Sequence, residues 1–276
     1  MVNKGQEQLY TRLNNGISMP LLGLGVYDMY GKDAEQAVNW ALEIGYRLID
    51  TASMYRNEVE IGNSIRQSRV PRGDIFLTTK VNNRDQGYDQ TLRAFEESQK
   101  KLDAGHIDLY LLHWPLKATR RDTWKALERL YLEKQVRAIG VANYLEPFLE
   151  ELAGYAELVP AVDQVEFSPY LYLQGLLHLC RERHIVLQAY TPLLRGRRLN
   201  DPPLVALAAK YGKTPAQIIL RWALQHGVST IPKSANRARL EENFAVFDFV
   251  IEAGDMARLD GLNEGLRVVD DPMDLL

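Results

Sequence analysis

The chain has 276 residues, of which 46% are hydrophobic and 25% charged. That length suits one α/β barrel, and that balance supplies a large core with a solvated surface, which excludes a disordered chain. A net charge of −3 gives no broad attraction to nucleic acid or anionic lipid, and the single cysteine, Cys180, excludes an intrachain disulfide.

The first predicted element is a hairpin, LYTRL and ISMPLLGLG flanking the turn residues Asn14, Asn15 and Gly16. β-rich runs then recur at YRLID, IFLTTKV, IDLYLLHW, VRAIGVAN, AVDQVEF, IVLQAY and VSTIPK, separated by stretches with helical spacing of apolar residues. With GLGVY counted as the first strand there are eight βα units, and no Gly/Ser-rich linker or charge block divides them. The expectation is a single (β/α)8 TIM barrel over residues 1–276, with the hairpin capping the barrel bottom. Helix starts are read at Asp33 to Gln36 and at Thr214 to Gln217, both as capping boxes, and at Asp201-Pro202. The opening residues show no apolar leader region and no apolar run reaches a membrane span, so a cytoplasmic protein with no membrane partner is expected.

The informative positions are where the hydrophobic runs stop. Asp50 ends YRLID, Lys80 ends IFLTTK, His113 ends IDLYLLH and Asn143 ends VRAIGVAN, at intervals of about one βα unit. Gln164, Tyr190 and Lys233 occupy similar places in the later strands. A polar residue often simply terminates a strand, but seven in succession point to one place, the C-terminal mouth where barrel enzymes keep their active sites.

Four groups at that mouth make a proton-transfer device. Tyr55 follows Asp50 closely and is within reach of Lys80 if their strands are neighbours. A nearby ammonium favours phenolate and so would make the phenol a better acid, while Asp50 would keep Lys80 charged and in position. His113 would hydrogen-bond and orient a substrate oxygen, or help pass the proton.

In GYRLIDTASMYRNE, FLTTKV, DLYLLHWP, RAIGVANY, DQVEFSPY, AYTPL and IPKSANRARLEEN the sequence resembles the aldo-keto reductase family over nearly its whole length, and is most similar to its compact microbial and protozoan members. The resemblance implies NADPH-dependent reduction of aldehydes and ketones, with Asp50, Tyr55, Lys80 and His113 as the catalytic tetrad and Tyr55 as the general acid. It further implies that Tyr190 stacks on the nicotinamide and that Asn143 and Gln164 bind its carboxamide. Gly25, Val26, Asp50, Thr191 and Leu193 complete the implied cofactor contacts at that end. Lys233, Ser234 and Arg239 match the residues that hold the adenosine 2′-phosphate, with Glu242 and Asn243 near the adenine; cations suit a dianionic phosphate, which favours NADPH over NADH. Tyr27, Tyr55, His113 and Trp114 are the expected substrate-pocket residues. Three positions depart from the family pattern: Ala142 stands for a usual serine, Asn82 for a pocket tryptophan and Ser168 for a frequent histidine. The segment 192–201 and the tail after Gly261 are short, which implies an open, tolerant pocket and a monomer.

No metal is expected: His178, Cys180 and His184 sit together on a helix-like stretch without other ligands, and no HExxH is present. Neither a phosphate-loop motif nor a full dinucleotide fingerprint occurs, since Asp28 stands where a third glycine belongs. No basic–aromatic interleaving suggests a nucleic-acid partner, so a small-molecule carbonyl is the expected one. The alternatives are a non-catalytic nucleotide-binding interaction or structural protein on the same fold, and an unrelated barrel lyase or isomerase using Lys80 as a Schiff base. The second conflicts with Asp50 holding that lysine protonated, because a nucleophilic amine must be neutral.

Overall fold

A computed structural model describes residues 10–275 of the chain. The hairpin pairs β1 (Tyr10–Arg12) antiparallel with β2 (Ser18–Pro20), Thr11 opposite Met19, through a turn that Gly16 permits at φ 87°. Its side chains tie it to the barrel floor. Asn14 Nδ2 donates to Pro160 O at 3.0 Å and Asn15 Nδ2 to Arg137 O at 3.0 Å, both at the N-terminal ends of strands. Leu13 and Met19 plug the interior beside Leu48 and Phe76. Leu9 of the expected first strand lies outside the described residues.

Eight parallel strands follow in sequential order: β3 (Leu24–Gly25), β4 (Leu48–Asp50), β5 (Phe76–Val81), β6 (Ile107–Leu112), β7 (Val136–Ala142), β8 (Val162–Glu166), β9 (Val186–Tyr190) and β10 (Ser229–Thr230). The first and last meet through backbone bonds from Gly23 N to Thr230 O at 2.9 Å and from Thr230 N to Leu21 O at 2.8 Å, which closes the (β/α)8 barrel. The approach is tight enough to demand glycine: a Cβ on Gly25 would lie 2.8 Å from Ile231 O. Along β6, Leu109 and Leu111 face the interior cluster while Tyr110 and Leu112 face the helices. Both faces are therefore apolar, and the strand reads in sequence as a continuous hydrophobic run rather than an alternation.

The outer ring consists of α1 (Gly31–Ile44), α2 (Glu58–Gln67), α3 (Tyr88–Leu102), α4 (Arg120–Leu132), α5 (Glu146–Ala153) and α6 (Gln174–Glu182), then α7 (Pro202–Tyr211) and α8 (Pro215–Gln225) between β9 and β10. α9 (Arg237–Phe244) and α10 (Ala253–Asp260) complete the α-helices among the described residues. No helix among the described residues is long and apolar enough to cross a membrane.

The capping box at Thr214 forms as expected, its hydroxyl accepting from Gln217 N and the Gln217 side chain accepting from Thr214 N. The one read at Asp33 does not form. Gly31 adopts φ 52° and lets α1 begin three residues earlier, with no side-chain cap at Tyr30, so Asp33 falls inside the first turn, where its charge still suits the helix dipole. α7 does begin at Pro202, but the Asp201 carboxylate makes no cap; it accepts from Tyr170 OH at 2.9 Å and pairs with Arg198 at 3.1 Å.

Asp163 faces the helix layer, opposite in the pleat to Gln164, and is fully buried without a well-formed partner for either oxygen; the Tyr144 amide gives it only weak support. Burial pushes this carboxyl well above its ordinary range. A raised folded pKa means the native state binds the extra proton, so stability is lost as pH climbs above the unfolded value of about 3.9. Asp163→Asn keeps the shape and removes the ionisation. It is expected to stabilise the protein by about 1–2 kcal/mol at pH 7.5, a gain that shrinks towards pH 4. Urea unfolding of both proteins at the two pH values checks this, and an equal difference at both would contradict it.

Candidate active site

Lys80 on β5 is fully buried inside the barrel, so its ammonium needs compensation. It donates to Asp50 Oδ1 at 2.6 Å, to Thr51 O at 3.0 Å and towards Tyr55 OH at 3.5 Å. Burial pulls both charges towards neutrality, raising Asp50 and lowering Lys80, and each partner opposes that pull in the other. The second carboxylate oxygen of Asp50 accepts from Gln164 Nε2 at 2.7 Å, which also donates to Gln188 Oε1 at 2.7 Å. Gln188 Nε2 in turn reaches Ser229 Oγ at 3.1 Å. A polar layer thus crosses the barrel from β4 to β10. Strand order brings Asp50 and Lys80 together, since β4 and β5 are direct neighbours.

Tyr55 ends a 3-10 turn at Ser53–Tyr55 directly after β4. Two polar side chains hold that turn. Ser53 Oγ donates to Lys80 O at 3.0 Å, and Asn57 Nδ2 donates to Val26 O and Met29 O at 2.9 and 3.0 Å while its oxygen accepts from Thr51 Oγ1. The Tyr55 ring is part-exposed, packed edge-on against Tyr27 at 5.1 Å and His113 at 5.9 Å between centroids. The expected acidification of Tyr55 by the ammonium is not what the site holds. Burial, reinforced by the charge of Asp50, pushes the phenol well above its usual value. Tyr55 is therefore protonated at neutral pH, as a proton donor must be. His113 is driven the other way: burial and then the charge of Lys80 hold it well below its ordinary value, so it is a neutral imidazole. Its Nδ1 is buried and has no hydrogen-bond partner among the described residues.

Asn143 follows β7 at φ 65°, a left-handed geometry that Asn tolerates better than most residues. Its side chain donates to His113 O at 2.8 Å and accepts from Tyr190 OH at 2.7 Å, so it joins the imidazole's backbone to the aromatic ring at the end of β9. Gln164 has both hydrogen bonds of its nitrogen directed at Asp50 and Gln188, which leaves its oxygen as an acceptor for a carboxamide. Trp114 and Tyr27 flank the opening, half-buried and exposed respectively. The loop after Tyr190 is strained, with Thr191, Leu194 and Arg195 all at positive φ; such strain clusters where a loop is shaped for binding. Gly25 and Val26 are buried in the barrel wall, their amides bonded to Pro232 O and Asp50 O.

The nucleotide end lies beyond β10. Asn236 caps α9 by accepting from Arg239 N at 3.1 Å, and Ser234 Oγ accepts from Asn236 N at 3.2 Å. Among the described residues, the Lys233 and Arg239 side chains are exposed and have no acidic partner, whereas Arg237 beside them is held by Glu43 and Glu241. Two unpaired cations and a hydroxyl at a helix start fit a phosphate. Glu242 accepts from Thr214 Oγ1 at 2.7 Å, and Asn243 is buried.

Sequence reasoning missed Gln188, Ser229 and Asn57, which position the site without lying at the C-terminal ends of strands. Ser168, read as a pocket difference, is buried in a turn where its hydroxyl accepts from Leu171 N. His178 is exposed and Cys180 buried, and no cluster of three metal-binding side chains occurs among the described residues.

This geometry has counterparts. The aldo/keto reductase family signature matches residues 22–264. Glyoxal reductase of Bacillus subtilis is 47% identical over 266 residues, spanning 96% of each chain. An aldo-keto reductase from a Medee basin deep-sea metagenome library superposes with a TM-score of 0.92 at 41% identity, covering 95% of this chain and 97% of that one. A Bombyx mori aldo-keto reductase solved in complex with NADP gives a TM-score of 0.89 at 33% identity, covering 96% and 95%. With the family signature spanning most of its length and such relatives matching it nearly end to end, this chain belongs to the aldo/keto reductase family and is an oxidoreductase.

Proposed function

We propose that the protein reduces aldehydes and ketones to alcohols with NADPH, Tyr55 giving the proton to the carbonyl oxygen. The observation that carries this reading is the convergence of a protonated phenol, a buried ammonium–carboxylate pair and a neutral imidazole at one barrel mouth. When bound, NADPH supplies hydride to the carbonyl carbon. The chain's own residues supply the rest. The imidazole of His113, being neutral, orients the carbonyl oxygen by hydrogen bonding without competing as an acid. Tyr55 transfers its hydroxyl proton to that oxygen as negative charge develops there, and Lys80, 3.5 Å away, stabilises the phenolate left behind. Asp50 keeps the ammonium aimed. Tyr190 offers a half-buried ring for stacking, and Asn143 and Gln164 flank it.

Lys233, Ser234 and Arg239 would hold the 2′-phosphate and so distinguish NADPH from NADH. A charge-assisted hydrogen bond is worth about 1.5–3 kcal/mol, or about 10–100-fold in affinity. Arg239→Ala should therefore raise the KM for NADPH by about that factor and the KM for NADH by less than about threefold, followed by absorbance during turnover of methylglyoxal or phenylglyoxal. Equal weakening of both cofactors would remove the phosphate assignment, and no turnover of either glyoxal would count against the substrate class.

A further inference from the structure

β5 keeps its pleat past its last ladder residue. Phe76 and Lys80 face the barrel interior, whereas Leu77 and Val81 pack beneath the helices. Asn82 follows with an extended backbone, φ −69° and ψ 149°. Its side chain therefore leaves on the face that carries Lys80, about 6–7 Å nearer the mouth. Strand register fixes its neighbour. Lys80 pairs with Leu111 and Val81 with Leu112 on β6, and Leu111 faces the interior as Lys80 does. One step on, Asn82 stands beside His113, with about 5 Å between the two backbones. On its other flank, Ser53 Oγ donates to Lys80 O at 3.0 Å and seats the turn that carries Tyr55 against the end of β5.

The chain after Asn82 is well fastened. Asp85 N donates to Asn82 O at 2.9 Å, and Gln86 donates to Trp114 O at 2.8 Å while accepting from Thr119 Oγ1 at 2.9 Å. The Asn82 amide takes no part in this. It does not cap the 3-10 turn at Asn83–Asp85, and among the described residues it makes no hydrogen bond, although it is half-buried. A carboxamide with both ends unspent thus stands at the rim beside the imidazole and the turn of the proton donor. Neither the proton transfer nor the hold on the nucleotide uses it.

We propose that Asn82 is a specificity-determining residue that hydrogen-bonds an oxygen on the carbon next to the reacting carbonyl, so that the protein favours hydroxycarbonyls and dicarbonyls over alkyl carbonyls. This rests on the reductase reading and deepens it. With the carbonyl oxygen held by Tyr55 and His113, the substituent on the adjacent carbon is the part of a small substrate that meets the rim. An amide both donates and accepts, so it serves a hydroxyl and a second carbonyl oxygen alike. An alkyl group at that place strips water from the amide and returns no bond, which is how a polar site rejects an apolar analogue.

The test sets wild type against Asn82→Leu, which is close in volume and has no polar side-chain atom. The substrates are hydroxyacetone and 2-butanone, which differ by a hydroxyl in place of a methyl. A neutral hydrogen bond corresponds to about 3–10-fold in affinity. In Asn82→Leu the hydroxyacetone-to-2-butanone ratio of kcat/KM should fall by about that factor, through KM, while kcat for 2-butanone stays within about twofold. Saturation-transfer NMR of 1,2-propanediol and 2-butanol on the NADPH complex makes the same comparison without turnover, and the preference for the diol should shrink alike. Because the amide has no partner in the fold, the urea midpoint should stay put. An unchanged preference in either measurement overturns the proposal, and so does an equal loss with both ketones. Should Asn82→Leu not fold, Asn82→Ala must show the same fall, and an unchanged ratio there overturns it. A wild type that reduces neither ketone nor methylglyoxal sinks the reductase reading, while the NMR comparison still decides whether Asn82 holds the hydroxyl.

Discussion

Tyr55→Phe is expected to lower kcat for carbonyl reduction by about 10²–10⁴-fold, the range that a positioned general acid contributes. The substitution removes one hydroxyl and leaves the ring contacts with Tyr27 and His113 in place. The hydroxyl's hydrogen-bond contact with Lys80 is long, at 3.5 Å, so stability should change by less than about 1 kcal/mol. Nucleotide affinity should also hold, since Tyr190 and the residues beyond β10 are untouched. Single-turnover loss of NADPH absorbance, with fluorescence titration of the nucleotide, separates the effects. Turnover equal to wild type would take the proton-donor role from Tyr55. Loss of nucleotide binding instead would mean that the ring shapes the site rather than serving its chemistry.

Lys80→Met should remove activity and also destabilise the fold. The variant leaves Asp50 buried with Gln164 as its remaining side-chain donor, and breaking a buried ion pair from one side costs about 3–5 kcal/mol. Asp50→Asn together with Lys80→Met replaces both charges, so much of the lost stability should return while activity does not. Urea unfolding of the single and double variants measures the coupling. A single variant as stable as wild type would show that the barrel interior does not depend on the pair. Activity restored in the double variant would show that the ammonium has no part in proton transfer.

Much of this site was legible because parallel strands are buried on both faces. Asp50 and Lys80 stand out against LID and FLTTKV, where nothing charged belongs without a reason, and His113 and Asn143 likewise end apolar runs. Gln188 was not legible for a related reason: inside IVLQAY a single glutamine reads as a solvent-facing position, and only closure of the barrel turns it inward to Gln164 and Ser229. GLGVY suggested a full strand, yet only Leu24 and Gly25 form a ladder, because the chain before them is bent into the closing contacts with Thr230. The early start of α1 depends on the positive φ of Gly31, which leaves no mark in composition. Electrostatics was the least legible link. Proximity of Lys80 to Tyr55 could be inferred, but the direction of the phenol's shift depends on burial and on the charge of Asp50.

The amide chain across the barrel has a built-in sense of direction. Gln164 donates to Gln188, Gln188 donates to Ser229, and the Ser229 hydroxyl points on to Pro20 O at 3.4 Å in the hairpin beneath. Each carboxamide has one donating and one accepting end, so reversing any one of them would set two like ends face to face along the line. Asp50 and Pro20 O can only accept, so the two ends of this line together fix which way Gln164 and Gln188 face.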